Sequence, residues 1–272
     1  MRSAALFVAL LAIALAGCDR EPTPDAPPAE HAVPPLAAET YADSVALRAY
    51  DYFGGHETWT KLPYLRFDFG NERDGTRSLT ARHFWDRMTG DYRVEMPVSD
   101  DSVYVALFNT NTREGQVYLN GEPVAEPEQR ERLDGAYRRF INDTYWFISP
   151  TKLFDEGVTR TFVPDSSTAE TDVLKLTFGE VGLTPGDTYW FYIDKATGRV
   201  DQWKYHLQGW GTERPASTAT WEDYQEYPSP AGPVTLAQRK RFGDAYALLT
   251  DEISTPDRFP EDLFTDPGLP EM

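Results

Sequence analysis

Apolar residues first recur at helical spacing between about Ala37 and Phe53, where Val45, Leu47, Ala49, Tyr50 and Phe53 suit an amphipathic helix and Gly54-Gly55 stops the pattern. "HETWTKL" adds about one further turn. From Leu62 the period falls to two: Leu65, Phe67 and Phe69 alternate with Arg66 and Asp68, as in a half-buried strand. Similar runs follow at "SLTARHFWD", "DYRVEMP" and "SVYVALFN", and Asn120-Gly121 in "QVYLNGEPVA" marks a hairpin. Helical spacing returns once, over about Pro127 to Phe147, with Leu133, Tyr137, Phe140 and Ile141 on one face and Pro150 ending it. Asn142, Asp143 and Thr144 are weak helix formers inside this stretch, which implies either a kink or polar side chains that satisfy buried backbone of neighbouring strands. Seven further strand-like runs extend from "GVTRTFV" to "AYALLTDEIS", with Gly198 supplying a tight turn in "DKATGR". The sum is a mainly β (α+β) fold. About twelve antiparallel strands form a curved open sheet or incomplete barrel, with an amino-terminal and a central helix covering its concave side.

Aromatic residues make up 14% of the chain, including 15 Tyr and 7 Trp. In "DTYWFYID", Tyr189, Phe191 and Ile193 point one way and Trp190, Tyr192 and Asp194 the other, so both faces of that strand need cover. Trp85, Trp146, Trp190, Trp203 and Trp210 are the candidate lining of a ligand pocket; taken singly, each reads first as core filling under the helices, and only their number favours a pocket.

The pattern ahead of residue 37 is of another kind. Met1, Arg2 and Ser3 give a cationic start and Ala4 to Ala16 an apolar run, the layout of a secretory signal. The run falls short of the ~20 residues a spanning helix needs. Residues 18–36 are rich in Pro, Ala and acid and read as a tether, followed by a single domain over 37–272 whose tail is proline-rich from about 256. With Cys18 the only cysteine, disulfides contribute nothing. The formal net charge of -18 argues against a nucleic-acid partner and against adhesion to anionic headgroups.

Catalytic patterns are weak. Ser149 to Lys152 matches S-x-x-K, but it follows a helix instead of opening one, and no K-T-G segment accompanies it. His56-Glu57 begins like H-E-x-x-H, yet the fifth position is Thr60. With no G-x-S-x-G elbow and only His56, His83 and His206 in the domain, no metal or other cofactor is expected. Carboxylates are too plentiful to single out a pair.

Two resemblances complete the picture. "LAGC" at residues 15 to 18 resembles the lipobox of bacterial lipoproteins, which implies cleavage before Cys18, acylation of Cys18 and anchoring to a bacterial envelope membrane, facing the periplasm. "YFGGHETWTKLPYLRFDFG", "NDTYWFISPTKLFDEGV" and "LKLTFGEVGLTPGDTYWFYIDKATGRVDQWKYHL" resemble an uncharacterised family of LolA-like lipoproteins, within the wider LolA/LolB fold. The resemblance covers most of residues 40 to 250. It implies a concave apolar sheet able to hold a lipid, an acyl chain or a lipoprotein, and it brings no catalytic residue. A carrier without chemistry is therefore the leading expectation. An envelope hydrolase using sheet carboxylates and a purely structural envelope lipoprotein are the alternatives, and the shape of the cavity discriminates among the three.

Overall fold

The computed structural model describes residues 33–180 and 182–268; the leader, Cys18 and most of the tether lie outside the described residues. The described elements include three α-helices, α1 (Tyr41–Tyr52), α2 (Gly55–Lys61) and α3 (Glu128–Ile148). Six strands precede α3: β1 (Tyr64–Arg73), β2 (Thr76–Asp86), β3 (Asp91–Ser99), β4 (Ser102–Asn109), β5 (Gly115–Leu119) and β6 (Glu122–Pro123). Seven follow it: β7 (Val158–Phe162), β8 (Thr171–Phe178), β9 (Thr188–Asp194), β10 (Val200–His206), β11 (Ser217–Tyr227), β12 (Val234–Phe242) and β13 (Tyr246–Ser254). The thirteenth strand arises because the turn at Asn120-Gly121 separates two paired strands, Leu119 facing Glu122. The first helix starts at Tyr41 and not near Ala37, since Thr40 forms a capping box with Asp43 that fixes the start there.

All thirteen strands form one antiparallel sheet in the order β6-β5-β4-β3-β2-β1-β13-β12-β11-β10-β9-β8-β7. Each half is a meander of sequence neighbours, and the halves join where β1 pairs with β13. The edges β6 and β7 remain apart, so the sheet is an incomplete barrel. The α3 helix runs from one edge strand to the other. Its Phe140 packs on Tyr92 of β3 at 4.7 Å between rings, while Trp146 packs on Trp203 of β10 at 4.9 Å. Strands so far apart in sheet order reach one helix only because the sheet curls around it.

Inward alternation follows the period of two. Leu65, Phe67 and Phe69 of β1 are buried beneath the helices, as are Tyr189, Phe191 and Ile193 of β9. The α1 helix covers the β7–β11 side of the sheet: Phe53 packs on Trp221, and Asp172 of β8, fully buried, accepts hydrogen bonds from Arg48 and Tyr41 with Lys195 at 3.4 Å. Gly198, in the turn between β9 and β10, is where α1 comes closest. Its φ is +83°, and a Cβ there would lie 2.2 Å from the Arg48 carbonyl oxygen. Gly198→Ala meets both left-handed strain and helix backbone, so urea denaturation should show a loss of about 2–4 kcal/mol.

The outer face is covered by other means. On β9, Trp190 and Tyr192 are only half-buried, and the apolar layer expected over them is replaced by the side chains of Lys175 of β8 and Lys204 of β10, whose ammonium groups sit 5.8 and 5.3 Å from the two rings. Across β1–β3, the carboxy-terminal segment 256–268 lies against the sheet without helix or strand of its own. Phe259 meets Tyr64 and Phe84 edge-on, and Leu263 is 4% exposed. Arg93, fully buried on this face, donates to the carbonyl oxygens of Leu263, Asp266 and Gly268 at 3.2, 2.7 and 2.5 Å.

Candidate functional site

The middle of α3 does not kink at Asn142-Asp143-Thr144; it runs unbroken to Ile148. Thr144 returns its hydroxyl to the Phe140 carbonyl at 2.6 Å, which satisfies it within the helix. Asp143, 2% exposed, accepts from Arg139 at 2.9 Å and from Asn142 at 2.8 Å, and His83 Nε2 of β2 lies 3.2 Å away. The other ring nitrogen of His83 is 2.8 Å from the Tyr92 hydroxyl. Burial pushes the His83 pKa down against the pull of Asp143. For Asp143 burial acts upward, but His83 and Arg139 outweigh it and hold the carboxyl low. His83 and Tyr92 are both at 0% exposure, so this Tyr–His–Asp chain lies buried between α3 and the sheet and ties the two together.

On the flank of α3 that faces β8 and β9 there is an apolar cavity of about 360 Å³. Ile141, Tyr145 and Trp146 form its helix wall, Phe178 and Tyr189 its sheet wall, and Leu183 in the β8–β9 loop its outer rim. Tyr145 packs on Tyr189 at 5.0 Å and on Phe178 at 5.9 Å, so the walls are braced by aromatic contact. Few polar groups enter. Asp187, the carboxylate that lines the cavity, is already occupied by Thr184 Oγ1 at 2.8 Å, the Tyr189 hydroxyl at 3.3 Å and the Gln208 amide at 2.5 Å. The Tyr145 hydroxyl is buried with no hydrogen-bond partner, and burial raises its pKa well above the usual phenol value, so it stays a donor. Arg138 and Asn142, both exposed, stand at the mouth one helical turn apart.

The five candidate tryptophans are not brought together. Trp146 lines the cavity, resting against Trp203 and Tyr205. Trp203 is fully buried behind it, in the core. Trp85 packs on Phe140 at 5.2 Å on the far side of α3, and Trp190 is on the outer face. Trp210 sits in the loop after β10, beneath the Arg214 guanidinium at 3.6 Å. The residues that make the cavity with Trp146 were marked only by spacing: Arg138, Ile141, Asn142 and Tyr145 form a second stripe at i, i+3, i+4, i+7 beside the core-facing one.

The weak catalytic motifs gain no support. Ser149 is fully buried and its hydroxyl unpartnered, and Lys152 points to Asp155 at 3.4 Å. Among the described residues no group of three or more His, Cys, Asp or Glu is placed to hold a metal, and no helix is long and apolar enough to cross a membrane. One carboxylate group does gather on the outer face, around a polar hollow of about 460 Å³ lined by Asp68, Asp251 and Glu252. Burial raises the Asp68 pKa despite Arg66 at 3.2 Å and Arg82 at 3.6 Å.

No protein-family model matches the chain, and no curated protein matches it. Among solved structures, the crystal structure of a DUF1329 family protein from Desulfovibrio piger is similar over 81% of this chain and 94% of its own, at 7% sequence identity and a TM-score of 0.45. A likeness of that size leaves the reading of this chain to its own geometry.

Proposed function

We propose that this protein is a lipid-anchored envelope protein of LolA-like design, held to a bacterial envelope membrane through Cys18 on its periplasmic side, which binds or carries a lipid, an acyl chain or a lipoprotein without chemistry. The observation that supports it is the apolar cavity beside α3. Its size falls within the ~300–1,000 Å³ typical of small-molecule sites, and it combines braced aromatic walls with one idle buried donor, Tyr145.

Native mass spectrometry of the chain from residue 19 onward, purified from cells under mild conditions, should show one co-purified lipid or, after stripping, uptake of one equivalent of the neutral dye Nile red. Ile141→Trp places an indole in the cavity from a half-buried position and should weaken dye binding at least tenfold while leaving the denaturation midpoint nearly unchanged. Absence of both lipid and dye uptake would exclude the carrier reading.

The hydrolase alternative rests on the Asp68 hollow. There, Arg66 lies 3.5 Å from Glu252 and Arg77 3.5 Å from Asp251, so every carboxylate has a guanidinium partner, which leaves no ready acid and base pair. Turnover of envelope substrates that disappears in Asp68→Asn would restore that reading.

A further inference from the structure

Arg138 differs from the other cations near the cavity. Arg139 is held by Asp143, Arg214 lies over Trp210, and Arg113 sits 4.4 Å from the Tyr137 ring, yet Arg138 makes no ion pair, hydrogen bond or ring contact among the described residues. In a chain with 44 acidic residues against 26 basic ones, an unpaired arginine at the mouth of an apolar cavity is conspicuous. Its position is also shared. Arg138 and Asn142 line both the apolar cavity and a second hollow of about 370 Å³ on the opposite flank of α3, toward β1, β2 and β13. That second hollow is more polar than the first, with Asn71, Thr80, Arg139 and Asp143 in its walls beside Phe69, Tyr246 and Leu248. Arg138 and Arg139 against the single Asp143 leave it with one excess positive charge.

An apolar cavity and a cationic hollow thus meet along one ridge, formed by two exposed side chains a helical turn apart. We infer that the ligand is an anionic amphiphile, whose chain fills the cavity at Trp146 and Tyr189 and whose charged head is taken by Arg138 and Asn142 at the ridge, facing the polar hollow. The inference rests on the carrier reading above and narrows it to ligands with a carboxylate or phosphate at the end of an apolar chain. Arg138 supplies the fork that matches either oxyanion, and Asn142 an amide donor beside it. Asp187, the only carboxylate among the described residues that line the apolar cavity, has three donors of its own and leaves the head without a competing demand on Arg138.

The test uses the chain from residue 19 onward loaded with Nile red, a neutral dye that reports occupancy of the cavity and nothing about charge. Dodecanoate and dodecyl phosphate, the two sources of a charged head, compete against the dye beside dodecanol, which has the same chain without the charge. Dodecanoate or dodecyl phosphate should displace the dye about five- to tenfold more effectively than dodecanol, and added salt should narrow the gap. Which of the two anions is stronger assigns the head as carboxylate or phosphate. In Arg138→Gln the ratio of anion to dodecanol displacement should fall to about one, each competitor being read against that variant's own dye affinity. Arg138→Lys should keep part of the advantage. Equal displacement by all three competitors would overturn the anionic ligand and leave the carrier reading standing. An anion preference that survives in Arg138→Gln would overturn the role of Arg138, and a protein that takes up neither dye nor competitor would remove both readings.

Discussion

Replacement of Lys240 by methionine is expected to stabilise the protein, by about 2–4 kcal/mol at pH 7, as measured by chemical denaturation. Lys240 lies on β12, opposite Trp221, and is 1% exposed. Its ammonium has one hydrogen bond, to the Ala237 carbonyl at 2.8 Å, and lies 4.6 Å from the Trp221 ring and 5.3 Å from the Phe147 ring. Burial lowers its pKa from 10.5 to about 7, with no carboxylate acting against that shift. The folded value is below the unfolded one, so between about pH 7 and 10.5 the unfolded chain holds the additional proton and stability rises with pH. The contribution is complete above the unfolded value and is lost as pH falls toward 7. Methionine fills nearly the same volume and cannot titrate. The difference in unfolding free energy between Lys240→Met and the parent should therefore be largest near pH 7 and shrink steadily toward pH 9.5, a range that stops short of tyrosine ionisation. A constant difference across that range would show that Lys240 is charged and paired in the folded protein.

The second large effect is expected at Arg93. Its Nε donates to Glu95 at 2.7 Å and its remaining nitrogens hold three carbonyls of the segment 256–268. Arg93→Ala strands Glu95, 1% exposed, with Arg82 at 3.5 Å as its only other cation among the described residues, and leaves those carbonyls without their donor. Removing one member of a buried pair costs about 3–5 kcal/mol. The loss should appear as an earlier denaturation midpoint together with new proteolytic cleavage beyond Thr255. Arg93→Ala combined with Glu95→Gln should recover part of it, because the orphaned charge is gone while the carbonyls remain unmet. Retention of protease resistance in the single variant would show that Phe259 and Leu263 hold the segment without Arg93.

Much of the architecture was legible from alternation. Leu65, Phe67 and Phe69 against Arg66 and Asp68 specify β1 and its inward face, and Asn120-Gly121 separates β5 from β6. What alternation hides is which polar residues go inside. Lys240 sits in "QRKRF", where every residue but the last reads as surface, and only the register opposite Trp221 turns it inward. Asp143 and His83 each read as minor local features because their partnership joins α3 to β2 across sixty positions of sequence. The cavity was anticipated as a property of tryptophans, yet it is built mainly from tyrosine, phenylalanine and isoleucine. Tryptophan is large enough to complete the core by itself, as Trp203 does, so abundance of indoles predicts packing better than it predicts space. Segment 256–268 carries no periodicity at all; its place is set by carbonyls bonding to one distant arginine, which composition does not show.

The seam between β1 and β13 also has a meaning in time. Each meander is assembled from strands adjacent in the chain, and its hairpins close over short loops. The seam joins Phe69 to Thr250, at opposite ends of the domain, and closing so long a loop costs entropy before any contact across it is gained. The two meanders are expected to form first and separately, each presenting an unpaired strand to the other. The interval before the seam closes is when β1 lies open to a wrong partner.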